Sequence, residues 1–130
     1  MKKILMVLMG LEIGGAETHV VELSLTLQKR GWEVLVASNG GVYEKTLEAH
    51  GIRHFHVPAH TRKLRTMRKA YQALEQVIRQ EKPDIVHAHA RIPAFLCGLL
   101  HRKMGFPFVT TAHWVFRVNP VLRMMTNWGQ

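Results

Sequence analysis

Short apolar segments alternate along the chain with longer segments that are apolar on one side only. Compact apolar runs are typical of strands that are buried on both faces of a parallel sheet. The five predicted strands cover residues 3–9, 33–38, 53–57, 84–89 and 108–112. Between them, apolar residues recur every three or four positions, as on one face of a helix. The predicted helices cover residues 16–30, 43–50, 62–80, 93–104 and a segment that begins near 120.

The longest predicted helix, over residues 62–80, shows the helical period most clearly. Its predicted inward face consists of Leu64, Met67, Tyr71, Leu74 and Ile78. We expect these side chains to pack together against the sheet.

Strands that alternate with helices predict a single α/β domain over residues 1–130, with a Rossmann-like parallel sheet and helices on both faces. In such sheets ligands bind beyond the carboxyl ends of the strands, where the strand order reverses. The segments that follow the predicted strands are therefore the candidate site: residues 10–15, 38–41, 87–91 and 110–113.

Composition is consistent with a folded domain inside the cell. Hydrophobic residues make up 47% of the chain and charged residues 21%, which is enough apolar material for a core. The apolar start of the chain is interrupted by Glu12 and has no small-residue cleavage site, unlike a signal peptide. The single cysteine, Cys97, has no internal partner for a disulfide. We therefore expect a cytoplasmic protein.

Positive charge is concentrated in the later part of the chain. The net charge is +9, and no Asp or Glu follows Asp84. A field of this sign favours an anionic partner such as a phosphate, a nucleic acid or an acidic membrane surface.

Gly14 and Gly15 lie between the first predicted strand and its helix. Free backbone N–H groups and the positive end of a helix can face an anion at such a position. The spacing matches neither the dinucleotide-binding nor the phosphate-loop motif. Two interpretations remain open from the residues alone, an anion site and a tight turn that requires glycine. A nicotinamide dehydrogenase ranks last because no acid follows the second strand near Asn39.

Histidines form the second candidate group. His87 and His89 share a face of one predicted strand, and His113 follows the next one. If these strands are neighbours, His89 and His113 converge beside the glycine loop, where an imidazole can accept a proton or pair with a phosphate. We expect His87 to serve the core instead, and the HxH pair at His54 and His56 to be an ordinary strand face. Zinc is disfavoured because no cysteine or carboxylate accompanies these histidines.

A basic tract coincides with the start of the longest helix. Its cations there are Arg62, Lys63, Arg65, Arg68 and Lys69. A basic amphipathic helix can dock on an anionic membrane, and it can equally be a solvated helix whose apolar stripe packs on the sheet. Nucleic-acid binding is disfavoured because stacking aromatic residues and known DNA-binding motifs are absent from the tract.

Taken in order, several motifs resemble the N-terminal half of a family 4 glycosyltransferase of the GT-B fold. They are Gly-Gly-Ala-Glu-Thr-His at 14–19, LQKRGWEVLV at 27–36, KPDIVHAH at 82–89 and TTAH at 110–113. This resemblance implies an acceptor-side domain that faces a second, donor-binding domain across a cleft. It also implies transfer from a nucleotide sugar to a hydroxyl acceptor with retention of configuration, and no metal or other cofactor.

The resemblance also implies roles for individual residues. Gly14 and Gly15 would approach the donor diphosphate, His113 would lie beside the transferred sugar, and His89 and Arg91 would contact the acceptor. Some membrane-associated members dock through a basic helix of this domain, which favours the membrane interpretation of residues 62–69. The protein would then lie on the inner face of the cell membrane.

The 130 residues contain no counterpart of the donor-binding half of the family. This predicts a domain that ends after about its fifth strand, is inactive in transfer by itself, and can self-associate through an exposed sheet edge. Two other functions stay open. One is a basic membrane- or anion-binding module without chemistry, and the other is a GT-B nucleotide-sugar 2-epimerase, which needs no acceptor.

Overall fold

A computed structural model describes residues 2–10, 15–59 and 63–111 of the chain. Strands and helices alternate throughout these residues, as the sequence predicts. The strands are β1 (Lys3–Val7), β2 (Glu33–Ser38), β3 (Arg53–His56), β4 (Ile85–His89) and β5 (Phe108–Thr111). The helices are α1 (Gly15–Lys29), α2 (Glu44–Ala49), α3 (Leu64–Glu81) and α4 (Arg91–Met104).

The strands form one parallel sheet in the order β3-β2-β1-β4-β5. The chain first builds outward from β1 through β2 to β3, and then crosses back to place β4 on the other side of β1. The strand order therefore reverses between β1 and β4, where Met6 is in register with His87. This confirms the Rossmann-like α/β class.

Helices cover both faces of the sheet, and each face has its own core. Leu5 of β1 belongs to a cluster with Leu74 of α3 and Leu100 of α4. The next residue, Met6, belongs to the opposite cluster with Val20 of α1. Successive strand residues point to opposite faces, so the unbroken apolar sequence of β1 is the expected pattern for a strand buried on both sides.

The predicted inward face of α3 is wrong at its first residue. Leu64 is 84% exposed, whereas Leu74 and Ile78 are buried and Met67 and Tyr71 pack against the core. Leu64 begins the helix, and burial starts only after the first turn. A periodic pattern identifies the apolar stripe but not how far along the helix the sheet extends.

Other element ends differ from the predicted ones by two residues or less. Helix α4 begins at Arg91, two residues before Pro93. Proline is compatible with the first turn because an N–H there has no acceptor within the helix. Gly105 ends this helix with a φ of 79°, as predicted. The predicted helix near residue 120 lies outside the described residues.

An ionic cluster connects several elements at the amino edge of the sheet. The carboxylate of Glu81, at the end of α3, accepts from Arg53 at 2.5 Å and from Lys3 at 3.4 Å. Arg53 also donates to Glu33 at 3.1 Å, and the backbone N–H of Lys3 donates to Asp84 at 2.7 Å. This edge is the one opposite to the predicted ligand site.

Candidate functional site at the carboxyl edge of the sheet

The candidate site lies where β1 and β4 end side by side and the chain leaves them in opposite directions. Beyond β1, the backbone continues to pair with the end of β2. The N–H of Leu8 donates to the carbonyl of Ala37 at 3.0 Å, and that of Asn39 donates to Met9 at 2.9 Å. The segments after β1 and β2 therefore leave the sheet together, on one side of the crevice.

The glycine-rich segment joins β1 to α1. Gly15 is the first residue of α1, so its helix begins at the carboxyl edge of the sheet. Gly14 lies outside the described residues. N–H groups in the first turn of a helix have no acceptor within it, and the helix dipole makes this end positive. An anion at this end of α1 would accept hydrogen bonds from the free N–H groups and would be attracted by the positive end of the helix dipole.

His89 is the last residue of β4, and it lies next to β5 in register with Thr111. The rings of His87 and His89 are 4.0 Å apart between centroids, which confirms that the two histidines share a face. His89 is only 1% exposed, whereas Arg91, which begins α4, is exposed. Strands β4 and β5 are neighbours, as the predicted convergence requires, but His113 lies outside the described residues.

Between His89 and Arg91, Ala90 adopts an unusual backbone conformation, with φ 84° and ψ 170°. Residues with a side chain rarely adopt this region, which costs on the order of 1–3 kcal/mol and persists only where the surrounding structure imposes it. The chain thus turns sharply from β4 into α4 at the candidate site. The sequence offers no signal for this, because the turn contains an alanine where glycine would be expected.

A hydrogen-bonded network supports the turn after β2. The Ser38 hydroxyl lies 2.7 Å from Nε2 of His54, and Nδ1 of His54 lies 3.3 Å from Glu44 Oε1. The backbone N–H of Gly40 donates to the Ser38 hydroxyl at 3.0 Å, and that of Gly41 donates to Glu44 at 2.9 Å. Burial lowers the pKa of His54, and it outweighs the attraction of Glu44 for a proton. His54 thus lies on a face of β3, as expected, and its ring also supports this turn.

The basic tract lies at the same edge of the sheet, because α3 starts there after β3. Lys63, Arg65, Arg68 and Lys69 are all exposed beside the exposed Leu64. Arg62 lies outside the described residues. The Glu33, Glu81 and Asp84 carboxylates are held at the opposite edge by Lys3 and Arg53. The start of α3 is therefore a basic surface at the carboxyl edge, whereas α1 and α2 carry Glu17 and Glu44 in their first turns.

Over residues 2–10, 15–59 and 63–111, no three His, Cys, Asp or Glu side chains lie together in a way that suits a metal ion. Within the same ranges, none of the helices combines the length and the apolar character needed to cross a bilayer.

The chain is similar in sequence or in fold to several known proteins. The chain is 26% identical to a human phosphatidylinositol N-acetylglucosaminyltransferase subunit over 123 residues, which is 88% of this chain and 25% of that protein. Its fold is similar to a glycosyltransferase from Rickettsia africae ESF-5, with a TM-score of 0.75, 21% identity, and coverage of 97% of this chain and 34% of that one. MurG from Acinetobacter baumannii is similar with a TM-score of 0.73, 18% identity, and coverage of 97% and 39%.

The chain thus spans about a quarter of the length of the curated relative that it matches. Structural likeness at this level of identity shows the shared fold. A sequence match shows more than a shared fold. The sequence model of one family matches residues 13–130, which include the segments that follow β2, β4 and β5 at the candidate site. The chain belongs to Glycosyltransferase Family 4.

Proposed function

We propose that this chain is the acceptor-side domain of a retaining glycosyltransferase, which moves a sugar from a nucleotide-sugar donor to a hydroxyl acceptor. The family match over residues 13–130 is the observation that carries the proposal. The reversal of strand order between β1 and β4 supports it, because it provides a crevice at the edge where substrates of α/β proteins bind.

The start of α1 is the proposed contact for the donor diphosphate. Gly14 and Gly15 leave room for a phosphate to approach the backbone, and the N–H groups of the first turn point toward it. Negative charge grows on the diphosphate as its bond to the sugar breaks. Fixed N–H donors stabilise that charge without having to reorganise during the reaction.

The ends of β4 and β5 are the proposed contacts for the two sugars. His113 orients a hydroxyl of the transferred sugar or accepts a hydrogen bond from it, and His89 and Arg91 contact the acceptor. The exposed Arg91 suits a direct contact. His89 is almost completely buried, so it acts as part of the wall of the site, with the ring of His87 against it.

In the proposed step, the acceptor oxygen forms a bond to the anomeric carbon on the face that the phosphate leaves. The bond between that carbon and the phosphate oxygen breaks, and the acceptor proton passes to the departing phosphate. The backbone N–H groups stabilise the charge, so the step uses no metal ion. Chelation with EDTA should therefore leave the rate unchanged.

The test is product analysis with the full product of the gene. We expect release of a nucleoside diphosphate from one nucleotide sugar, and a glycosidic product with the anomeric configuration of the donor, as read by proton NMR. An epimerase would convert the nucleotide sugar without an acceptor. Inversion would contradict the retaining mechanism, and no reaction of any nucleotide sugar would contradict the proposal as a whole.

A second proposal concerns the exposed start of α3, which we assign to docking on an anionic membrane at the inner face of the cell membrane. The exposed Leu64 among the cations Lys63, Arg65, Arg68 and Lys69 favours it. An apolar side chain can enter the lipid headgroup region while the cations pair with anionic lipids. Strand β5 ends the sheet within the described residues, so self-association through it is a further expectation.

A further inference from the structure

The turn after β2 is held by a network of polar contacts whose direction can be assigned. Nδ1 of His54 faces Glu44 Oε1 at 3.3 Å, and because a carboxylate only accepts, we place the proton of the neutral ring on Nδ1. Nε2 of His54 then accepts from the Ser38 hydroxyl, which leaves the Ser38 oxygen to accept from the N–H of Gly40. Each donor in this network has one acceptor.

Three hydrogen bonds and the contact between His54 and Glu44 form a closed ring, because the network begins and ends on consecutive residues. Gly40 donates to Ser38, and Gly41 donates to the second oxygen of Glu44. Gly40 has a φ of 94°, and a Cβ on it would lie 2.6 Å from Glu44 Oε2. We call the four residues Ser38–Gly41 the ring turn. Its shape thus depends on glycine and on the side chains of His54 and Glu44.

A serine, a histidine and a glutamate in this order resemble a hydrolytic triad, but the geometry opposes that role. The Ser38 residue is fully buried at 0% exposure, and its oxygen already accepts from Gly40. A nucleophile must reach a substrate. The ring is therefore suited to holding the turn.

The ring turn and Tyr43, two residues after it, together contact both described flanks of the segment that joins β1 to α1. On one side, a Cβ added to Gly10 would lie 3.4 Å from the carbonyl oxygen of Gly40, and Asn39 donates to Met9 at 2.9 Å. On the other side, the Tyr43 hydroxyl lies 2.9 Å from Oγ1 of Thr18 in the first turn of α1. The end of β1 and the start of α1 therefore rest against one support.

We propose that His54 is a positioning residue: its imidazole, hydrogen-bonded to Ser38 and in polar contact with Glu44, closes the ring of contacts that fixes the Ser38–Gly41 turn and so sets the spacing between the end of β1 and the first turn of α1. The consequence for the donor rests on the proposed function. If the start of α1 binds the donor diphosphate, loosening this spacing weakens donor binding, although His54 touches no substrate.

The charge state of His54 connects the ring to pH. Glu44 and Glu48 of α2 favour the charged ring, whereas burial and the neighbouring His56 oppose it, and the pKa is lowered. Protonation would add a hydrogen to Nε2. The buried Ser38 hydroxyl would then have to turn its own hydrogen away from its acceptor, which leaves that hydrogen without a partner in the ring.

Amide hydrogen exchange on this chain tests the ring directly. Ser38→Ala removes the acceptor of the Gly40 amide, and Glu44→Ala removes that of the Gly41 amide. His54→Leu removes neither acceptor, yet we expect it to accelerate exchange of both amides by about tenfold, because both bonds depend on the closed ring. His54→Gln, which keeps a donor and an acceptor, should restore part of the protection. His56→Leu, an exposed site on the same strand, is the control.

Unchanged exchange of the Gly40 and Gly41 amides in His54→Leu would overturn the proposal, as would equal acceleration in His56→Leu. If His54→Leu does not fold, the same comparison of the two amides in His54→Gln decides the matter, with intermediate acceleration of both expected and wild-type rates contradicting the ring.

Kinetics of the full gene product test the consequence for the donor. We expect His54→Leu to raise KM for the nucleotide sugar about tenfold with kcat nearly unchanged, as for lost uniform binding. The wild-type KM should rise as the pH falls through the pKa of His54, and KM of the Gln variant should not. An unchanged KM in His54→Leu would contradict this consequence. Absence of transfer by the wild type would instead contradict the proposed function, while exchange still decides on the ring.

Discussion

The pKa values of individual ionisable side chains in this domain are shifted by different physical causes. His54 is half-buried at the carboxyl edge with its pKa lowered, chiefly by burial. Glu81 is buried at the amino edge with its pKa also lowered, chiefly by the hydrogen bond from Arg53. For His54 the neutral form is favoured, whereas for Glu81 the charged form is favoured. The two groups therefore make stability depend on pH in separate ranges.

The first prediction concerns His54 and mildly acidic pH. Because its folded pKa lies below the unfolded value of about 6.5, the unfolded chain binds the proton more readily. The free energy of unfolding should be constant above pH 7.5, and it should fall as the pH decreases through 6.5 toward the folded pKa. Urea titrations at several pH values measure this. His54→Gln should flatten the dependence between pH 5 and 7, and a slope unchanged by that substitution would contradict the assignment.

For individual residues, the sequence predicts the position in the fold better than it predicts the role of the side chain. The place of His89 at the end of a strand follows from the apolar run before it, and the structure confirms that place. The role of His54 cannot be predicted, since its partners Ser38 and Glu44 are 16 and 10 positions away and meet it only when β2, β3 and α2 pack. The strained turn at Ala90 leaves no mark in the sequence, because an alanine occupies it.

The two ends of helix α3 differ in exposure and in charge. Its first turn is exposed and basic, whereas its last turns are buried and finish at Glu81, which pairs with Lys3 of β1 and Arg53 of β3. The carboxylate thus holds the helix against two strands of the sheet. A buried carboxylate destabilises the fold when it is left unpaired, so Glu81 stabilises the fold only while both of its partners remain.

We predict that Glu81→Ala lowers the free energy of unfolding by about 1–3 kcal/mol, because the buried end of α3 loses charge-assisted hydrogen bonds to two strands. Half of the Arg53 side chain is exposed, which favours the lower part of this range. Glu75→Ala on the same helix is the control, since Glu75 also pairs with two cations, Arg79 and Lys103. Glu75 is more exposed, so its replacement should cost less, and an equal or larger cost would contradict the account.

Glu81 makes stability fall with decreasing pH, as His54 does, but in a more acidic range. Its folded pKa is held below the usual value, so its contribution is complete above the unfolded pKa of about 4.3 and is lost as the pH falls through the folded value. Acid unfolding of Glu81→Ala should accordingly begin from a lower stability and fall less steeply below pH 4.3. Circular dichroism during acid titration measures both.

The sequence predicts the elements well because β1 and most of β2 are apolar on both faces, a pattern typical of the inner strands of a parallel sheet. It predicts α3 well in its middle, where Leu74 and Ile78 are buried, and wrongly at Leu64. The alternation of strands and helices predicts a parallel sheet, but it does not predict the order of the strands in that sheet. Which strand is adjacent to β1 depends on the packing of α3 and α4, which a local pattern does not contain.

Cations lie at both edges of the sheet of this molecule. At the amino edge they include Lys3 and Arg53, which pair with carboxylates, and the basic last turns of α1 and α4. At the carboxyl edge the start of α3 is exposed and basic, and its cations attract an anionic surface or substrate toward the candidate site. Docking and substrate binding would then use the same end of the domain.

Vesicle sedimentation tests the membrane part of this account. We predict that reversing Arg65, Arg68 and Lys69 to Glu lowers binding to phosphatidylglycerol-rich vesicles by about a hundredfold or more, since each cation near such a surface contributes about 1 kcal/mol. Reversal of three exposed cations elsewhere, Lys29, Arg30 and Lys45, is the control with equal net charge. Equal losses in both triple variants, or binding to phosphatidylcholine alone, would contradict docking through α3.

The central claim is that a sugar is transferred at the carboxyl edge of this sheet, beside the ends of β4 and β5. The most direct measurement is the acceptor-dependent release of nucleoside diphosphate by the full gene product, compared between the wild type and His113→Ala, with His50→Ala as the control. We predict release by the wild type and the control, and a loss of about a hundredfold or more in His113→Ala. No release by the wild type, or equal rates in all three proteins, would contradict the claim.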